Sequence, residues 1–180
     1  IHRRKNKRDA SGYIFAVHPD GHRDFVVPWQ MGQKSKPIIS DHPLFVGSDE
    51  GLHVLDLGWM VMNSKPVGEI KSVPVVFNER VYVGSTNQYV YAIDQETGVV
   101  LWQIATNGVP YLSNVDDELL IVASEKTIYA VNSTDGSIMW TRGVNGLLDS
   151  CPFQNDGKVF VGSWDTNLYA LNQSSGDVVW

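Results

Sequence analysis

Cysteine, long apolar runs and familiar catalytic motifs are scarce in this sequence. Its 180 residues include one cysteine, Cys151, which excludes an internal disulfide and predicts a small buried side chain beside Pro152. No run of about 18 apolar residues occurs, so no membrane-spanning helix is predicted. The chain also has no Gly-Xaa-Ser-Xaa-Gly elbow, phosphate-binding loop or dinucleotide fingerprint, so no enzyme class that depends on these motifs is indicated.

Positive charge is also in short supply. The chain carries 14 Lys and Arg against 20 Asp and Glu, for a net charge of −6, and a pI near 5.2 gives no reason to expect nucleic acid as a partner. The only basic run lies at residues 3–8; we interpret it as a solvated loop, with an anionic surface or nucleic acid as the alternative ligand. No apolar stretch follows this run, so it is not interpreted as a signal peptide. The chain begins at Ile1 without an initiator methionine, so we expect the true N-terminus to lie upstream.

What the sequence does contain is a repeat. The stretch from Pro74 to Trp102 recurs, with changes, at Pro110–Trp140 and at Pro152–Trp180, and corresponding alanines are 38 and then 40 residues apart. Each copy has four short apolar runs separated by polar or glycine-bearing turns. A repeat of about 40 residues with four strands is typical of a propeller blade.

Local chemistry within one copy supports strands. The β-branched and aromatic run Val81–Val83 is typical of an inner strand covered on both faces, and Gly98 fits the positive φ of a tight hairpin. A tryptophan then closes the outer strand, and a small alanine lies in the strand before it. We expect the indole to be structural and to cover the adjacent sheet at the alanine; a cofactor stack is the alternative.

The first third of the chain follows the pattern less closely. Residues 12–29 contain only the second half of a repeat, ending at Trp29. In the next copy Val54 replaces the alanine, and little room remains for an outer strand before Trp59. Either that strand follows Trp59, as Met60–Met62, or this blade is degenerate.

These residues resemble a known repeat. An apolar run with Gly-Ser, then Tyr-Ala-(Leu/Ile/Val)-(Asp/Asn), a glycine turn and a tryptophan is similar to the PQQ-like (pyrroloquinoline-quinone-like) β-propeller repeat. The matching residues are Gly84-Ser85, Tyr91-Ala92-Ile93-Asp94, Gly98 and Trp102; Ser124, Tyr129-Ala130-Val131-Asn132, Gly136 and Trp140; and Gly162-Ser163, Tyr169-Ala170-Leu171-Asn172, Gly176 and Trp180.

The resemblance implies an all-β fold, a β-propeller of four-stranded antiparallel blades. We expect residues 1–180 to form a single partial propeller, about four and a half blades of a seven- or eight-bladed ring. The expected blades span residues 13–30 (half a blade), 37–62, 73–103, 109–141 and 151–180.

No constellation of residues predicts chemistry. The acidic cluster Asp116-Asp117-Glu118 could offer oxygen ligands to calcium, but it lies between strands and is interpreted as a turn. His18 and His22 flank a Pro-Asp-Gly turn, so they do not share a helical face and predict no zinc site. The sequons at Asn132 and Asn172 are interpreted as hairpin turns. We therefore predict no metal site and assign no catalytic or cofactor-binding residue.

Proteins built from this repeat include quinoprotein dehydrogenases, a lipoprotein of the outer-membrane β-barrel assembly machinery, luminal stress sensors and cell-surface proteins. We expect a non-enzymatic scaffold that binds a protein partner or a cell-surface polymer, in the periplasm, an organelle lumen or at the cell surface. The alternative is a fragment of a PQQ-dependent dehydrogenase, with PQQ and calcium as cofactors, although one cysteine cannot supply that family's cysteine pair. A third hypothesis is a stress sensor that self-associates through exposed blade edges.

Overall fold

The structure is a computed structural model that describes residues 12–17, 23–29, 36, 38–39, 44–48, 51–55, 61–65 and 67–180. These residues form sixteen strands and no helix, in five antiparallel sheets. No described segment is a helix long and apolar enough to cross a bilayer. The all-β class expected from the sequence is therefore confirmed.

The five sheets follow one another along the chain. The first contains β1 (Gly12–Val17) and β2 (Arg23–Trp29); the second contains β3 (Ile38–Ile39), β4 (Leu44–Gly47), β5 (Leu52–Leu55) and β6 (Val61–Lys65). The third contains β7 (Val75–Phe77), β8 (Arg80–Gly84), β9 (Tyr89–Asp94) and β10 (Val100–Ala105). The fourth contains β11 (Tyr111–Asp116), β12 (Leu119–Asn132) and β13 (Ile138–Leu148); the fifth contains β14 (Phe153–Asn155), β15 (Lys158–Gly162) and β16 (Leu168–Asn172).

The outer strand of the second sheet resolves one alternative left by the sequence. β6 begins two residues after Trp59 and pairs antiparallel with β5. The second sheet is therefore four-stranded, with its outer strand after that tryptophan.

The first hairpin of each later sheet turns through two residues with positive φ. These residues are Asn78 and Glu79, Asp117 and Glu118, and Asp156 and Gly157. Two consecutive residues with positive φ define the type I′ turn, whose twist matches that of the flanking strands. Asn and Asp tolerate this conformation better than most residues, so the turn begins with one of them each time.

The long strand β12 folds back on itself. Leu120 and Val122 share one core cluster with Tyr129 and Val131, an odd number of residues away. An uninterrupted strand would place these two pairs on opposite faces, because its side chains alternate. Glu125, with a φ of 52°, lies between them, so β12 is a tight hairpin and the fourth sheet also has four strand segments.

The hydrophobic core lies between successive sheets. One cluster joins the second and third sheets, another the third and fourth, and another the fourth and fifth. Tyr82 of β8 faces the fourth sheet, whereas its neighbours Val81 and Val83 face the second. The third and fourth sheets are thus covered on both faces, which is the stacking expected of propeller blades.

Candidate functional site

Two outer-strand tryptophans, Trp102 and Trp140, each join their own sheet to the next one. The indole Nε1 of Trp102 donates a hydrogen bond of 3.1 Å to the backbone oxygen of Ser133, and its ring lies so close to Gly136 that a Cβ there would be 2.8 Å from it. Trp140 repeats this contact one sheet later: its Nε1 donates to the oxygen of Gln173 at 2.9 Å, and its ring lies on Gly176. The glycine turn therefore serves both the positive φ of the hairpin and the close approach of an indole.

The small alanine has a different role from the one predicted. Ala92 lies directly opposite Trp102 in the same sheet, not in the adjacent one, so that part of the prediction is wrong. Tyr82 lies opposite Ala92 on its other side, and the Tyr82 and Trp102 rings approach to 5.8 Å between centroids across the alanine. The alanine is small because two large rings must meet above it.

A groove of about 430 Å³ opens between the fourth and fifth sheets, beside Trp140. Its apolar wall comes from Leu119, Met139 and Trp140, and Met139 is 61% exposed. The remaining lining residues belong to hairpin turns and their flanks: Asp117, Gly157, Asn172, Gln173 and Ser174. An apolar wall with a few polar groups at its mouth is the common composition of a binding site.

The groove can be explained by comparing repeats. Leu119 and Ile121 follow the Asp117-Glu118 turn just as Arg80 and Tyr82 follow the Asn78-Glu79 turn. At the earlier interface the Tyr82 hydroxyl donates to the oxygen of Ser133 at 3.0 Å, the carbonyl that corresponds to that of Gln173. An isoleucine is too short to reach that far, so the space beside Gln173 stays open.

The mouth of the groove carries an uncompensated negative charge. Asp117 is exposed and makes no ion pair with any described residue, whereas Lys158 lies 3.8 Å from Asp156. The neighbouring Asp116 accepts a 3.2 Å hydrogen bond from Gln173 Nε2 and thus helps to join the two sheets. One carboxylate is therefore available to a ligand.

The shifted pKa values have structural causes. Burial raises the pKa of Tyr82, although the hydrogen bond to Ser133 and the Arg80 guanidinium act in the opposite direction. Hydrogen bonds from turn residues lower the pKa of Asp94 and Asp135, and a hydrogen bond from Tyr169 lowers that of Asp165. Tyr82 lies in β8 and the three aspartates lie at three different turns, so the shifts do not mark a shared catalytic centre.

The candidate residues from the sequence lie apart from one another. Asp116-Asp117-Glu118 forms the turn between β11 and β12, and His53 is buried with its Nε2 2.7 Å from Ser48 Oγ. His18 and His22 lie outside the described residues, as does the basic run at residues 3–8. No three metal-binding side chains come together within the described ranges, and the expected lack of a metal site stays a prediction.

Three further residues singled out in the sequence have clear positions in the structure. Asn132 and Asn172 lie at hairpin turns, where each side-chain oxygen accepts backbone hydrogen bonds from the residues that follow. Cys151 is exposed, so its predicted burial is wrong. Desolvation nevertheless raises the pKa of its thiol, which makes the thiolate less available. The groove itself was not predicted from the sequence. It arises where Leu119 and Ile121 differ from the residues at the same positions of the preceding repeat, and the prediction relied on what the repeats share.

The repeats match a known family model. The model, described as outer membrane protein assembly factor BamB, matches residues 11–115 and 106–180. No curated protein has a sequence that matches this chain significantly.

Solved structures with a similar fold are numerous. The BamB of Moraxella catarrhalis aligns with a TM-score of 0.77 at 16% identity, covering 95% of this chain and 65% of its own. A computationally designed protein, Ika8, aligns at 0.70 and 14% identity, covering 80% and 47%. A chain of the mitotic checkpoint complex aligns at 0.80 and 13% identity, covering 94% and 58%. At these identities the likeness shows the propeller fold alone, and this chain spans less than two thirds of each.

Proposed function

The chain belongs to the PQQ-like propeller family whose model is described as outer membrane protein assembly factor BamB, and from that premise we propose that it is a non-enzymatic scaffold that binds a protein partner outside the cytoplasm. The observation that carries the proposal is the groove between the fourth and fifth sheets, which combines an exposed apolar wall with an unpaired carboxylate. Aromatic side chains and methionine are enriched where proteins bind one another. The family description supports the periplasm as the compartment.

Site-specific photocrosslinking tests this function. A photoreactive residue placed at Met139 would report a protein lying in the groove, and the same residue placed at Leu101 is the matched control. Leu101 precedes Trp102 as Met139 precedes Trp140, and it is also exposed. In cells of the source organism we expect a discrete adduct with one protein from position 139. Equal labelling from both positions, or none, contradicts a partner in the groove.

The quinoprotein alternative makes a separate prediction. If the chain were part of a PQQ-dependent dehydrogenase, PQQ with calcium at about 100 times its Kd would stabilise it by about 2.7 kcal/mol. We expect no shift in melting temperature. A saturating rise would favour the dehydrogenase.

A further inference from the structure

We propose that the groove between the fourth and fifth sheets is a socket for an arginine side chain presented by the partner protein. This inference rests on the proposed function and specifies the chemistry of the partner. Two equivalent interfaces within the chain differ: one is filled by the protein's own side chains, and the other is left open.

At the interface of the third and fourth sheets, the protein supplies its own cation. Arg80 and Tyr82 are two residues apart in β8 and so share one face of the sheet; the charge of Arg80 lowers the pKa of the Tyr82 phenol, and that of Glu118 in the following sheet raises it. Tyr82 is fully buried and bonded to the Ser133 oxygen. This interface therefore contains a cation, an aromatic ring and a facing carboxylate.

At the interface of the fourth and fifth sheets, the three equivalent positions carry different side chains, and the cation of this interface, Arg142, binds Gly176 and Asp177 and does not line the groove. Leu119 stands where Arg80 does, Ile121 where Tyr82 does, and Gly157 where Glu118 does, by their positions relative to the hairpin turns. The long cationic side chain and the phenol are thus each replaced by an aliphatic side chain. The carboxylate is replaced by a glycine, which has no side chain. Asp117 occupies the place of the uncharged Asn78.

These replacements suit an arginine brought by another protein. The stem of arginine packs well on apolar surface such as Leu119 and Met139 while its charged end stays near water. The planar guanidinium stacks on aromatic rings such as that of Trp140, and it pairs with carboxylates such as that of Asp117. Lysine would meet the charge but neither the planarity nor the fork geometry.

Nuclear magnetic resonance of the full chain provides the test, with the Trp140 indole N–H as the reporter. The probe is an acetylated, amidated peptide, Gly-Ala-Arg-Ala-Gly, and the matched control carries citrulline, which keeps the shape but not the charge. We expect the arginine peptide to shift the Trp140 signal to saturation. The citrulline peptide should bind about tenfold more weakly, and the Trp102 signal should stay unchanged.

Three variants test whether the arginine peptide binds in this groove. Asp117→Asn should weaken arginine binding to the citrulline level; asparagine tolerates the positive φ of 48° at this position, so the fold is retained. Glu118→Gln, the neighbouring acid that does not line the groove, should leave binding unchanged. Leu119→Arg restores the residue of the earlier repeat and should abolish binding by filling the socket.

The outcomes separate this inference from the proposed function. Equal binding of both peptides, full binding by Asp117→Asn, or no saturable shift with the arginine peptide overturns the arginine socket. If crosslinking from Met139 still captures one protein, the scaffold function stands and only the chemistry of its partner is wrong. If crosslinking fails while the peptide binds selectively, the socket stands without a physiological partner.

Discussion

The interface between the third and fourth sheets and that between the fourth and fifth use the same tryptophan contact but different supporting residues. At the first, Tyr82 and Trp102 both donate to the oxygen of Ser133. At the second, Trp140 is the one described donor to the oxygen of Gln173, and Arg142 adds a bond to Gly176. The shared contact is therefore the tryptophan on its glycine, and the other contacts vary between repeats.

The variable positions can change because the invariant contact already orients the sheets. A carbonyl oxygen has two lone pairs and can accept one bond or two. When the second donor is lost, as at Ile121, the interface survives and a groove opens. Function in repeat folds is found at such departures more readily than in the repeat itself.

The largest loss of stability is expected from substitutions at the glycine turns on which the indoles pack. Gly136→Ala and Gly176→Ala should each lower the free energy of unfolding by about 3 kcal/mol, from left-handed backbone strain and from collision with an indole. Gly157→Ala is the matched control, since it has a φ of 66° and no neighbouring atom within 4 Å; it should cost about 1 kcal/mol. Chemical denaturation of the full chain measures all three. Equal losses would show that the indole contact contributes nothing.

Replacing Trp102 and replacing Trp140 should lower the free energy of unfolding by different amounts, although the difference is smaller than the effect of the glycine variants. Trp140→Phe leaves the Gln173 oxygen without a described donor, whereas Trp102→Phe leaves the Ser133 oxygen bonded to Tyr82. We expect Trp140→Phe to be the more destabilising by about 1 kcal/mol or less, because the Gln173 oxygen loses its one described donor but lies beside the open groove, where water can replace the bond. Denaturant midpoints of the two variants decide the order, and the reverse order would contradict the account of the two interfaces.

Tyr82 and Trp102 donate to the same acceptor, the Ser133 oxygen. We therefore expect the stability losses of their substitutions to be coupled. Tyr82→Phe alone should cost about 1 kcal/mol, because Trp102 still satisfies the Ser133 oxygen. The double variant with Trp102→Phe should exceed the sum of the single losses by about 0.5 kcal/mol or more, since the carbonyl then loses both donors. A double-mutant cycle measures this excess. Additive losses would mean that the two donors act independently.

The ion pair between Arg142 and Asp177 at the second interface should contribute least to the free energy of unfolding. Arg142 Nη2 lies 2.8 Å from Asp177 Oδ1, and the aspartate is largely exposed. Arg142→Ala should cost about 1 kcal/mol or less, and high salt should reduce the loss because exposed ion pairs are screened. Lys158→Ala, which removes the looser pair with Asp156, should be near neutral. A salt-independent loss would assign the effect of Arg142 to its bond with the Gly176 oxygen.

Much of this fold could be predicted from residues within one repeat. The glycines at the outer hairpins indeed have positive φ, between 67° and 78°. The prediction that each outer strand ends at its tryptophan was wrong, because β10 continues beyond Trp102 to Ala105 and β13 continues beyond Trp140 to Leu148. The position of Ala92 was wrong because strand register, not sequence distance, decides which residues face one another. The predicted burial of Cys151 was wrong, because apolar neighbours in the sequence do not guarantee that a side chain is buried.

The groove could not be predicted, because it depends on residues from two sheets about 40 residues apart. Leu119 alone is an ordinary strand residue, and Gly157 alone an ordinary turn residue. Their combination leaves space only when the two sheets stack, and Trp140 lines that space only because its Nε1 reaches the next sheet.

The strands, the period and the turns follow from local sequence, since backbone preference and hydrophobic alternation act over a few residues. Which interface is closed and which is open depends on how the sheets stack. That difference arises because an interface is a fit between side chains brought together by stacking, and the space left between them belongs to neither repeat alone.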